Sequence, residues 1–222
     1  MPLSLAQQYM LLALDPDAHQ LGRQPAPVMH LYACAAGIAE LLHQGRLRLQ
    51  EDGLLEAIGG PPPQSAGGSL LLEQLTAYKS PATLRRWMRD LHAHRRYRQP
   101  PVAAELQPLL DNRMLSEERS KLLLVFSSKR LIPRPAAVGG IIGNIRECLL
   151  EQTPDDVPTV LLAMILDASK LLRAYFPPNE LEAMRSRLRS LQDRSGDLPV
   201  VLRQTRRAID EIHVVMVTSS IG

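Results

Sequence analysis

The residues of this 222-residue chain with the types and spacing to do chemistry are few, and most of them lack partners. His92-x-His94 brings two imidazoles close enough to share a metal. No Cys or acidic residue stands at a matching spacing, so the pair also reads as a solvated helix end. His30 and His43 flank an apolar segment, where His43 fits a helix-end histidine beside the negative pole of the dipole. Asp155-Asp156 precedes a helical pattern and suits the positive end of that helix better than general acid–base work. Ser127-Ser128 and Ser219-Ser220 have no G-x-S-x-G context. Gly139-Gly140 and Gly143 lack both the preceding strand and the lysine of a phosphate loop. The expectation is a protein without catalytic residues, metal or cofactor.

Two patterns point instead to a binding surface. The first is the run Arg95, Arg96 and Arg98, with Tyr97 and His92/His94 alongside, where a helix meets Pro100-Pro101. It can serve an anionic partner, or it can simply complement the dipole at a helix end. The second is Leu122, Leu123, Leu124, Val125 and Phe126, followed by Lys129 and Arg130. As a strand it would have one face in the core, although five consecutive apolar residues exceed what one-sided burial needs. On a membrane the two patterns would act together. Three arginines near an anionic surface supply on the order of 3 kcal/mol, a millimolar-class attraction. Insertion of two or three large apolar side chains adds several kcal/mol more.

The elements that must position these residues are mostly helices. Residues 28 to 44 form a near-continuous apolar segment, from Leu31 through Cys34, Ile38, Leu41 and Leu42, that leaves no broad polar face. A helix apolar all round is buried on all sides. His30, Glu40 and His43 interrupt it too often for a membrane span of about 20 apolar residues. Before it, Ser4 and Gln7 have capping-box spacing and open a short helix that Asp15-Pro16-Asp17 ends. After it, Arg46–Gln50 and Leu54–Ile58 flank Asp52-Gly53, a hairpin signal. Gly59 to Pro63 and Gly67-Gly68 predict a surface loop, and a third helix is expected over 69–78. Ser80 should cap the next helix, with Pro81 at its first position and Leu84, Trp87, Met88 and Leu91 on its buried face. Further helices are predicted from Val102 to Leu110, over 136–150, over 158–175 and over 180–191. Met114 to Phe126 reads as a second hairpin with Ser116–Ser120 as its polar turn. The segment 199–218 fits helix or strand at its end. The expected fold is therefore mainly α: one helical domain over 1–222, built around a buried central helix, with two small β-hairpins.

The hydrophobic share of 45% allows a substantial core, and the net charge of +3 leans only mildly towards anionic partners, far below a dedicated nucleic-acid binder. Cys34 and Cys148 both fall in apolar helical patterns and are expected as reduced core residues. The start of the chain lacks the basic region of a secretory signal, and no segment reads as a membrane span, so the expected location is cytoplasmic.

The order of several motifs resembles the Golgi phosphoprotein 3 family. These are Leu3-Ser4-Leu5 through Leu11-Leu12-Ala13-Leu14, Ile38-Ala39-Glu40-Leu41-Leu42 with Gly45-Arg46-Leu47-Arg48-Leu49, Leu71-Leu72-Glu73 before Trp87, Met114-Leu115 with the Leu122–Phe126 run, and Asp167-Ala168-Ser169 with Leu171-Leu172. The resemblance covers nearly the whole chain. It implies a largely helical, non-enzymatic, peripheral membrane protein that recognises phosphatidylinositol 4-phosphate. In eukaryotic members this links Golgi membranes to glycosyltransferase retention and trafficking. It implies that Arg95, Arg96 and Arg98 are the nearest counterparts of the headgroup-binding cations, and that Leu122–Phe126, Lys129 and Arg130 belong to a hairpin that inserts into membrane or mediates oligomer contacts. The chain is similar to compact, prokaryotic-type members. It departs from the lipid-binding pattern at Cys34, where an arginine is expected, in residues 22 to 27, which contain no aromatic, and at the start of the Val102 helix, where two arginines are expected.

The implied partners are an anionic phospholipid surface, a second copy of the chain and a client protein. An oligomerising interaction module without lipid specificity is the alternative. A winged-helix-like DNA-binding protein is a further one, from the helix–hairpin order over 102–126, but Val102 to Asp111 carries no basic residue and no nucleic-acid partner is expected.

Overall fold

The computed structural model describes residues 2–16, 25–78, 82–122, 126–151, 156–193, 200, 202–207, 209–211 and 214. It is mainly α. Helices α1 (Leu5–Leu14) and α2 (Ala26–His43) are followed by the strands β1 (Leu47–Leu49) and β2 (Leu55–Ala57). Next come α3 (Ala66–Thr76), α4 (Leu84–Ala93) and α5 (Arg95–Asp111), then β3 (Leu115–Leu122) and β4 (Phe126–Pro133). The helices α6 (Pro135–Leu150), α7 (Val157–Ala168), α8 (Leu172–Tyr175) and α9 (Pro178–Gln192) follow, with further helical residues at 202–207 and 209–211.

The expected central helix is α2. Leu31, Ala35, Ala36, Ile38, Ala39 and Leu41 are fully or almost fully buried, because α2 packs against α1, α3, α4, α5, α7 and β1. Small residues make this crowding feasible: a Cβ at Gly37 would stand 2.7 Å from Leu71 Cδ1 on α3. The capping box of α1 forms as expected. Ser4 Oγ accepts the Gln7 N–H at 3.1 Å and the Gln7 side chain accepts the Ser4 N–H at 3.1 Å. The first hairpin also forms, with Leu47 opposite Ala57, Arg48 opposite Glu56 and Leu49 opposite Leu55. Its turn works because Gly53 takes φ +86° and Asp52 Oδ1 accepts the Leu54 N–H at 3.0 Å. Neither cysteine forms a disulfide, and both are buried.

Several expected boundaries move, each for a local reason. Gly67 and Gly68 lie inside α3, not in a loop, capped by Ser65, whose Oγ accepts the Gly68 N–H at 3.0 Å. Glycine is needed at 67 because α5 comes too close for a side chain: a Cβ there would meet the Glu105 carboxylate and stand 2.7 Å from Pro101 O. Gly67→Ala is therefore expected to lower stability by about 2 kcal/mol in urea unfolding, since overpacking outweighs the gain in helix propensity. An unchanged midpoint would mean that α3 and α5 separate easily. Helix α4 starts at Leu84 with Thr83, not Ser80, as its cap. The long helix expected over 158–175 is broken after Ala168, where Lys170 takes φ +64° and ends α7 before the short α8. The Val215–Val217 run, which fits helix or strand in sequence, lies outside the described residues.

The second hairpin is the largest correction. Ser116–Ser120 is strand, not turn, and β3 pairs with β4 from Leu115↔Pro133 to Leu122↔Phe126. The polar sequence of β3 is compatible with a strand because this ribbon has only two strands and Ser116, Glu117 and Glu118 are exposed. Where a strand residue faces solvent, hydrophobic alternation is not required. Leu122 and Phe126 close the ladder, and Leu123, Leu124 and Val125 lie outside the described residues.

Candidate functional site

The basic run sits on a sharp corner between α4 and α5. Helix α4 is amphipathic and buries Leu84, Trp87, Met88 and Leu91. It ends at Ala93. His94, in extended backbone at φ −116° and ψ 109°, is both the last cap of α4 and the entry to α5. The sequence suggests instead that the helix runs on through Arg98 and breaks at Pro100-Pro101. In the structure those prolines lie inside α5, and Arg95, Arg96 and Arg98 occupy its first turn.

This reversal changes the electrostatics. At the end of α4 the arginines would have complemented the negative pole of a helix dipole; at the start of α5 they face a positive one. Neither α5 nor α2 has an acidic residue in its first turn or a side-chain cap at its start. The corner thus collects cations where proteins ordinarily place carboxylates, which disfavours the arginines locally and favours an external anion.

Each arginine has a distinct environment. Arg95 and Arg96 are exposed. Arg95 Nε donates to Gln99 Oε1 at 2.6 Å, and Arg96 donates through an Nη to the Tyr97 hydroxyl at 3.2 Å, with its guanidinium carbon 4.8 Å from the Tyr97 ring centroid. His94 meets the same ring edge-on at 5.8 Å. Arg98 is half-buried and turned inward: its Nη1 donates to His92 O at 2.6 Å and Leu91 O at 3.2 Å, holding the last carbonyls of α4. Among the described residues none of the three pairs with a carboxylate, although Arg48, Arg85, Arg146, Arg185 and Arg206 all do.

Helix α2 completes the corner. The Cys34 thiol lies 3.9 Å from Arg98 O and donates to it. His30, one turn earlier on the same face of α2, therefore faces the start of α5. Burial lowers the His30 pKa below its usual value, and Arg98 and Arg95 lower it further. His92 is lowered likewise, by burial and then by Arg98. The Cys34 thiol is pushed up to about 12 by burial, with Arg98 opposing, so it stays protonated and acts as a donor. At 1% exposure Cys34 cannot reach a ligand outside, and the cavity of about 10 Å³ beside it holds no more than one water-sized molecule. Sequence reasoning missed His30 as part of this site; its signal was the four-residue step to Cys34.

The hairpin stands at the other end of α5. Its base packs on α1 and α5, so the 17-residue helix separates basic corner from hairpin base by about 25 Å. The paired strands carry the Leu122–Phe126 end roughly another 25 Å from that base. Arg130 is exposed and lies in register with Glu118, and Lys129 lies in register with Arg119.

Among the described residues no helix is long and apolar enough to cross a membrane, and no group of three or more His, Cys, Asp or Glu is placed to hold a metal. No curated protein matches the chain. The family model for Golgi phosphoprotein 3 (GPP34) matches residues 5–212, from the first turn of α1 to the helical residues near the end, so the chain belongs to the Golgi phosphoprotein 3 family.

Proposed function

We propose that this protein is a non-catalytic peripheral membrane adaptor that docks on anionic phospholipid at the α4–α5 corner and inserts the apolar end of its second hairpin. The observation that carries this reading is the cluster of arginines at the uncapped start of α5, without carboxylate partners among the described residues. Arg95 and Arg96 are the headgroup contacts. Arg98 adds charge but spends its hydrogen bonds on α4. Leu122–Phe126, with Lys129 and Arg130 behind them, supply the apolar anchor and flanking cations. Such a protein works at the cytoplasmic face of a membrane and brings a client protein to it.

The double variant Arg95→Ala/Arg96→Ala is expected to weaken binding to phosphatidylglycerol-containing vesicles about 30-fold in flotation, from roughly 1 kcal/mol per arginine. Equal recovery of variant and wild type would remove the corner from the mechanism. A second reading, self-assembly through the hairpin, is favoured by one observation. Among the described residues the β3–β4 ribbon pairs only with itself, and an isolated two-stranded ribbon is marginal in water without a surface to cover it. A mass that rises with concentration in the absence of lipid would support that reading.

A further inference from the structure

The basic corner contains imidazoles as well as arginines, and His30 is one on which two of the guanidiniums act. It lies at the start of α2, half-buried, facing the first turn of α5 through the Cys34–Arg98 contact. Two guanidiniums, Arg95 and Arg98, act on it, and no carboxylate of the described residues offsets them there. Several other charged groups on the elements packed against α2 are engaged elsewhere. Asp90 accepts the Tyr78 hydroxyl at 2.6 Å, Arg85 pairs with Glu211, Asp167 with Arg185, and Arg48 with Glu56. Glu105, on α5, accepts the Ser4 hydroxyl at 2.8 Å. His92 presents a buried Nδ1 that an outside ligand cannot reach.

An empty corner therefore keeps His30 neutral near pH 7, because a further positive charge beside two guanidiniums is unfavourable. A lipid phosphate held by Arg95 reverses that balance, because it offsets one of the two guanidiniums that act on the ring. We propose that docking of anionic phospholipid at this corner is coupled to uptake of a proton by His30, so that membrane attachment strengthens as pH falls. This rests on the membrane-docking reading above and assigns it a regulator. The proton goes from solvent to an imidazole nitrogen and no covalent bond to the lipid forms. By linkage, a phosphate that raises the His30 pKa by about one unit strengthens binding up to tenfold once pH falls below both values.

The test is flotation on phosphatidylglycerol/phosphatidylcholine vesicles at pH 7.5 and pH 5.5, with pure phosphatidylcholine as background. Phosphatidylglycerol keeps its charge across this range, so a change belongs to the protein. For wild type, affinity is expected to rise about three- to sixfold at the lower pH; for His30→Gln the ratio should fall below twofold, and for His92→Gln it should stay at the wild-type value. Circular dichroism on each variant checks that it folds. The His30→Gln ratio also separates this histidine from Glu40, ten residues further along α2, which changes charge in the same range. A wild-type ratio near one, or a full rise retained by His30→Gln, overturns the proton coupling and leaves membrane docking standing. No recovery of wild type on anionic vesicles at either pH overturns docking itself and the coupling with it.

Discussion

Arg98→Ala is expected to lower stability by about 2–3 kcal/mol, whereas Arg95→Ala and Arg96→Ala should each stay within about 0.5 kcal/mol of wild type in urea unfolding. The three residues lie within four positions of one another, but the fold uses them differently. Leu91 O and His92 O belong to the last turn of α4, where the backbone has run out of intrahelical donors. Arg98 Nη1 supplies that donor from the next helix, and its charge also suits the negative end of the α4 dipole. Alanine removes both contributions and leaves two carbonyls beneath a half-buried corner. Arg95 and Arg96 bond only to Gln99 and Tyr97 at the surface, so their loss touches little of the core. Unchanged stability of Arg98→Ala would mean that its guanidinium is free to leave α4 and serve a headgroup directly.

The second large effect concerns the carboxylate pair under α1. Burial and the charge of Glu105 push the Glu40 carboxyl up to about 7, and the Leu5 N–H opposes them. Between its usual value of about 4.5 and about 7 the folded protein holds a proton that the unfolded chain has released. Wild-type stability from this group is therefore complete below pH 4.5, declines as pH rises through the window, and stays low above it. Glu40→Gln removes the titration while keeping an oxygen for the Leu5 N–H. At pH 8 the variant is expected to be more stable than wild type by about 2 kcal/mol, and at pH 4 the two should coincide. A wild-type stability profile parallel to that of the variant from pH 4 to 8 would show that Glu40 is ionised throughout and that the pair is separated in solution.

The parts of the fold that were legible in sequence are those whose determinants are local or overwhelmingly apolar. The capping box at Ser4 and Gln7 fixes the start of α1 through two bonds three residues apart. The turn at Asp52-Gly53 needs one glycine at positive φ and one aspartate acceptor. The segment Leu31 to Leu42 has no polar face to show to water, so it must be central wherever the other helices lie. Elements read less well where a neighbour decides. Gly67-Gly68 resembles a loop until Glu105 and Pro101 arrive on the other side and require a residue without a Cβ. Pro100-Pro101 resembles a helix stop, yet the carbonyls that lose their donors, those of Arg96 and Tyr97, lie in the first turn of α5 at an exposed corner, where the loss is tolerated.

The candidate site follows the same division. Sequence alone determined that the chain has a basic run and an apolar run, a buried helix carrying Cys34, and enough ordered motifs to identify its family. Only the tertiary structure decided what those residues do. It turned the arginine run from a helix end into a helix start, brought His30 against it, turned Arg98 inward and made the polar stretch Ser116–Ser120 a strand where a turn was expected. The physical reason is that hydrophobic periodicity specifies which face of a helix is buried, whereas charge acts through space. The sign of the dipole beside Arg95 and the identity of its neighbour on α2 exist only once α2, α4 and α5 have packed.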